Sequence, residues 1–215
     1  MYERFTLVDG LTRPDHYFIE PDDRCYYLGE YTPRQDFSFS ETNGLIKNLK
    51  KKMNLRGTPQ WRYKGEAIRT CGANLRKIFG NDKSGMTFVP VPPSKIVGDP
   101  GYDDRLIRVL DIMAGNDDCD IRQIVTQVDN MEPSHEGDRA TIQSLIDNYS
   151  IDQGLLQQPR GDTIAIFDDM LTTGRHFRAM HSVLSERFPR AQFFGIFIAR
   201  RRLPSAAETF SNYSF

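Results

Sequence analysis

Three short runs do most to decide what this chain can fold into: TFVPV at 87–91, TIAIF at 163–167 and QFFGIFIA at 192–199. Each is apolar at nearly every position. A strand with one wet face would alternate, so these runs predict strands buried on both faces. Segments of helical periodicity separate them. YKGEAIRTCGANLRKIF carries Ala67, Ile68, Cys71, Leu75, Ile78 and Phe79 on one side. YDDRLIRVLDIMA, ATIQSLIDNY and GRHFRAMHSVLSERF read as further helices, the last with Phe177, Met180, Leu184 and Phe188 on its apolar face and Pro189 as its stop. IRQIVTQV at 121–128 reads as one more strand. Strand–helix alternation of this kind predicts an α/β protein, a parallel sheet flanked by helices.

The first forty or so residues look different. They are rich in aromatics and broken by Pro14, Pro21, Gly29 and Pro33, so short strands and turns are expected there. A helix follows, capped within Ser40-Glu41-Thr42-Asn43, with Leu45, Ile46 and Leu49 at helical spacing. The chain therefore divides into an N-terminal extension (1–63), a core (64–203) and a tail (204–215) whose Phe210, Tyr213 and Phe215 suit docking on a neighbour.

Ligands of open parallel sheets bind beyond the carboxyl ends of the strands. That rule singles out the loops at 90–101, 127–140 and 168–176. The third is the most informative. In IFDDMLTTGRHF, residues 166–177, a buried strand ends in two carboxylates, followed by two threonines and a glycine just before a helix. A helix N-terminus offers free N–H groups and partial positive charge, and with threonine hydroxyls it makes a phosphate cradle. Asp168 and Asp169 would repel that phosphate. They suit sugar hydroxyls, or a magnesium ion directly or through water, and both are expected to face solvent. A simple helix-capping role for either acid is the plain alternative. A Walker B reading fails because no GxxxxGK[ST] loop exists, and a calcium loop would need acids at alternating positions.

IAIFDDMLTTG closely resembles the phosphoribosyl pyrophosphate (PRPP) motif of type I phosphoribosyltransferases, and within that superfamily the chain looks most like the ComF group of competence-associated proteins. LGEYTPRQDFSFSETNGLIKNLKKKM resembles the group's region ending in a lysine-bearing helix, and FVPVPPSKIVGDPGYDDRLIRVLDIMA its pyrophosphate-loop region. The polar stretch near Ser134–Arg139 falls where its flexible loop lies. The resemblance spans roughly residues 25–203 and implies a type I phosphoribosyltransferase fold whose N-terminal extension acts as a hood over the site.

By that resemblance, Asp168 and Asp169 would hold the ribose hydroxyls and, with PRPP, a magnesium ion. Met170, Leu171, Thr172, Thr173, Gly174 and Arg175 would wrap the 5′-phosphate. Pro92, Pro93, Ser94 and Lys95 occupy the pyrophosphate loop. The prolines have no N–H to donate, which leaves Ser94 and Lys95, although Lys95 is also readable as a surface lysine. The implied reaction displaces pyrophosphate from ribose C1 by a nitrogen nucleophile, without a covalent enzyme residue. The hood matches no base-selective motif, so the acceptor is not named. Binding of PRPP or a nucleotide without turnover is the alternative. The chain departs from the family pattern at Arg175 and His176, which stand where a small and then a hydroxyl residue are usual. It departs again at Asp99, an acid beside the pyrophosphate loop, and in DNMEPSHEGDR, where four acids accompany Arg139 and His135.

Bulk properties narrow the remaining classes. Net charge is −1, so the molecule as a whole does not attract nucleic acid. Between Lys47 and Lys64 seven cations occur with no acid, interleaved with Trp61 and Tyr63. That pattern suits nucleic acid, but a solvated helix face is the preferred reading. No run approaches a membrane span, and MYERFTLVDG has no signal-peptide pattern, so a cytoplasmic protein is expected. A homodimer is expected from the resemblance. Cys25, Cys71 and Cys119 are far apart and odd in number, and read as reduced thiols.

Overall fold

The computed structural model describes residues 2–131 and 141–203. The flexible-loop expectation at Ser134–Arg139, with His135, and the C-terminal tail lie outside the described residues.

Six strands form the main sheet in the order β1 (Thr6–Leu7), β2 (Arg24–Tyr31), β8 (Gln192–Arg201), β7 (Thr163–Leu171), β3 (Thr87–Pro90) and β4 (Asp120–Ile121). Within this sheet, among the described residues, only the β1–β2 pairing is antiparallel. The continuously apolar strands lie in the middle, as burial on both faces requires: Phe88, Val89 and residues 164–167 are all fully buried. The fold is therefore α/β with a mostly parallel sheet flanked by helices.

Helix α1 (Glu41–Leu49) begins where its caps predict, with the Ser40 hydroxyl accepting from Asn43 N–H at 3.0 Å. Buried Asn43 also exchanges two hydrogen bonds with the Thr32 backbone, which fixes α1 to the end of β2. Helix α2 (Trp61–Phe79) buries Ala67, Ile68, Cys71 and Leu75. It crosses α3 (Arg105–Ala114) closely at Gly72, where a Cβ would sit 2.6 Å from Ile112. Helices α4 (Ile142–Asp147) and α5 (Arg175–Arg187) pack together. Cys25 and Cys71 are buried free thiols, and Cys119 is half-buried. Among the described residues no helix is long and apolar enough to cross a membrane.

Three features differ from the sequence reading. Residues 1–63 do not all stand apart: β2 runs parallel to β8 inside the main sheet, and α1 shares its core with α2. The 121–128 segment is not one strand. It leaves the sheet after Ile121, and β5 (Val125–Gln127) pairs antiparallel with β6 (Tyr149–Ile151), which the helical reading of ATIQSLIDNY had partly absorbed. Finally, β7 does not stop at Phe167. Strand β8 continues beside it, pairing Phe197 with Asp168, Ala199 with Met170 and Arg200 with Leu171, so backbone hydrogen bonding carries the strand through both acids.

Candidate functional site

A cavity of about 820 Å³ opens beyond the carboxyl ends of β3 and β7, beside the first turn of α3. It is of a size that holds a small organic ligand. The structure brings together there Asp168, Asp169, Met170 and Thr172 from the 168–176 segment and Pro92, Pro93, Ser94 and Lys95 from the 90–101 segment. Exposed His176, in the first turn of α5, also lines it. Leu171, Thr173, Gly174 and Arg175 do not. Leu171 and Thr173 are buried, because alternation along β7 turns Leu171 into the core.

The loop after β7 is short. Gly174 stands at the N-cap of α5 with φ +85°, a left-handed conformation that glycine adopts without penalty. An added Cβ would also lie 2.6 Å from Ile19 Cδ1. Arg175 turns away from the cavity, its guanidinium over the Phe18 ring at 5.4 Å.

The two carboxylates are not equivalent, and the expectation that both face solvent is corrected here. Successive strand residues point to opposite faces. The Asp169 side chain is only 2% exposed and is held by Lys50 Nζ at 2.8 Å and Arg105 Nε at 2.7 Å, one cation on each oxygen. Burial opposes its ionisation, but Arg105 and Lys50 outweigh burial and hold its carboxyl well below the usual carboxylate range. Asp168 is half-buried. Burial first, and the adjacent Asp169 charge second, push its carboxyl up. One of its oxygens accepts the Asp169 backbone N–H at 2.7 Å.

The ion pairs extend further. Arg105 Nη1 donates to Asp103 Oδ2 at 2.7 Å, and the same oxygen accepts from Lys64 Nζ at 2.8 Å. Lys64 is 1% exposed. It also donates to the carbonyls of Leu49 at 2.7 Å and Lys51 at 3.0 Å, closing the open C-terminal end of α1. The basic stretch thus divides. Lys50 and Lys64 turn inward to carboxylates, while Lys47 and Lys51 lie over the Phe37 ring at 5.0 and 4.9 Å.

Asp99 is not aimed at the pyrophosphate-loop position. One oxygen accepts from Gly101 N–H at 2.6 Å and the other from Asn130 Nδ2 at 2.8 Å, and these bonds lower its carboxyl. Asn130 Oδ1 in turn accepts from Ile96 N–H at 2.9 Å, and Met131 N–H donates to the Ser94 carbonyl at 2.8 Å. Asp99 therefore ties the 94–101 loop to the start of the next one.

Sequence reasoning missed Arg105, Asp103, the inward roles of Lys50 and Lys64, and Tyr149. The Tyr149 hydroxyl is buried and has no hydrogen-bond partner among the described residues, and burial followed by the Asp168 charge raises its pKa. Nothing in local pattern ties YDDR to β7. The acid-free run of cations did mark Lys50 and Lys64, but without their partners.

Fold and site together define an α/β protein with a cavity at the carboxyl ends of a mostly parallel sheet. No protein-family model matches the chain, and no curated protein matches it.

Proposed function

We propose that this protein binds PRPP with magnesium and transfers its phosphoribosyl group to a nitrogenous acceptor, releasing pyrophosphate. The observation that carries this reading is the meeting, in one cavity, of Asp168 and Thr172 from the DDMLTTG segment with residues 92–95 from the loop after β3. The resemblance of the first segment to the PRPP motif supports it, and so does the cavity's place at the strand ends.

In this reading Thr172 and the backbone N–H groups before α5 hold the 5′-phosphate, and Asp168 accepts from ribose hydroxyls. Ser94, Lys95, Arg105 and Lys50 surround the pyrophosphate with donors and positive charge. Oriented donors and cations stabilise charge that develops as the bond to pyrophosphate lengthens. Among the described residues no group of three metal-ligating side chains occurs. Magnesium nevertheless fits, because it is commonly held by one or two carboxylates and the phosphates of its substrate. Asp168 supplies the carboxylate, since both oxygens of Asp169 are engaged. When bound, the ion would neutralise charge on the departing pyrophosphate.

A second reading, binding of PRPP or a nucleotide without turnover, is favoured by one observation: Lys50 and Arg105 occupy the oxygens of Asp169. Calorimetric titration with PRPP, with and without magnesium, tests the shared binding claim. Saturable, magnesium-dependent heat is expected; its absence in folded protein overturns both readings. Pyrophosphate release on adding candidate bases then separates the enzyme from the binding protein.

A further inference from the structure

We propose that the N-terminal segment through His16 and Phe18 is part of the phosphate site, with His16 a positioning residue that turns the loop after β7 to present N–H groups to a phosphate monoester. This inference rests on the phosphoribosyl reading of the cavity.

The segment holds the loop residue by residue from the side away from the cavity. His16 is fully buried, and its Nδ1 is hydrogen-bonded to the Thr172 carbonyl. A carbonyl only accepts, so Nδ1 carries the proton and Nε2 the lone pair. Among the described residues Nε2 has no hydrogen-bond partner. Leaving a buried acceptor unpaired is unfavourable, so the histidine is kept here against its own solvation. The next carbonyl, Thr173, accepts from Phe18 N–H at 2.9 Å. Ile19 fills the space a Gly174 side chain would need, and the Phe18 ring lies beneath Arg175. Arg178, one turn into α5, donates to the Phe18 carbonyl at 3.3 Å and to Asp23.

The consequence follows from peptide geometry. In a trans peptide the N–H points opposite to the C=O. Drawing the Thr172 and Thr173 carbonyls toward the segment turns the N–H groups of Thr173 and Gly174 the other way. None of residues 16–19 lines the cavity, and neither do Thr173 and Gly174 themselves, whereas Thr172 and His176 on either side of them do. A phosphate is attracted by N–H groups and repelled by carbonyl oxygens, so this orientation decides whether the loop accepts one. Gly174 imposes little restraint of its own, which makes an external brace necessary.

Calorimetry on the full chain with two probes tests this. Ribose 5-phosphate reports on the loop after β7, and inorganic pyrophosphate on the loop after β3. His16→Ala should weaken ribose 5-phosphate by about tenfold or more, the loss of roughly one buried hydrogen bond and its geometry, and change pyrophosphate binding by less than about twofold. His16→Asn, whose amide can replace the Nδ1 donor, should restore most of the loss. Equal weakening of both probes, or unchanged ribose 5-phosphate binding, overturns the inference while the functional reading stands. Wild-type protein that binds neither probe sinks the functional reading, and this one with it. If His16→Ala does not fold, His16→Asn decides alone: weak ribose 5-phosphate binding with intact pyrophosphate binding refutes the role of the donor.

Discussion

The Lys50 ammonium lies 2.8 Å from an Asp169 carboxylate oxygen, joining residues 119 apart in the chain, while Arg105 takes the other oxygen. The end of α1, the start of α3 and the end of β7 meet on one carboxylate. The floor of the cavity is therefore a structural joint as well as a candidate binding surface.

Asp169→Asn should be costly for this reason. It would leave Arg105, 19% exposed, facing an amide in place of a charge. Removing one partner of a buried pair typically costs about 3 kcal/mol or more. Lys50→Ala, removing a cation that is 38% exposed, should cost about 1 kcal/mol or less. Urea unfolding of both variants checks the order, and a larger loss for Lys50→Ala would contradict it.

The paired acids should respond oppositely to pH. Asp169 has a folded pKa below its unfolded value of about 3.9. Its stabilisation is complete above roughly pH 5 and is lost as pH falls toward the folded value. Asp168 has a raised folded pKa, so its contribution is present at acid pH and lost as pH rises through that value. Asp168→Asn retains an acceptor for the Asp169 N–H. It should stabilise the protein at pH 8 by on the order of 1 kcal/mol and change little at pH 4. Thermal midpoints at the two pH values test this, and a midpoint at pH 8 no higher than wild type counts against the assignment.

Lys64 is a stability determinant. Lys64→Ala removes donors from two carbonyls and from Asp103 and leaves a void beside them. A loss of about 3 kcal/mol is expected. Lys64→Arg should not restore it, because the planar guanidinium cannot reproduce the compact three-donor geometry. Chemical denaturation of both variants gives the answer, and full rescue by arginine would show that charge alone matters.

Gly174→Ala combines left-handed strain with a collision against Ile19. A loss of about 2 kcal/mol is expected. Ile19→Ala in the same chain should recover only the steric part, because the backbone strain remains. A double-mutant cycle measures the coupling. Zero coupling would mean that the two residues do not meet.

Much of the fold was legible because burial on both faces writes itself into consecutive residues. TIAIF, TFVPV and QFFGIFIA could satisfy their apolar side chains only inside a covered sheet. The helices α2, α3 and α5 carried their apolar stripes openly. IRQIVTQV failed because its second half pairs with β6, and pairing is a property of two segments rather than one. The strand through Asp168 and Asp169 failed for the same reason: β8, not local composition, continues the ladder.

At the candidate site the placement of Asp168, Thr172 and Ser94 around one strand-end cavity was readable from residue type and spacing. The sequence by itself determined an α/β chain with a strand-end loop at 90–101 and a turn into a helix at Gly174, because hydrophobic periodicity and turn residues act locally. The tertiary structure alone decided that Asp169 is a clamped buried anion, that Lys64 closes α1, and that His16 meets the Thr172 carbonyl. Those outcomes depend on charges and donors brought together from residues 13 to 156 apart in the chain, where electrostatics acts through space and not along the chain.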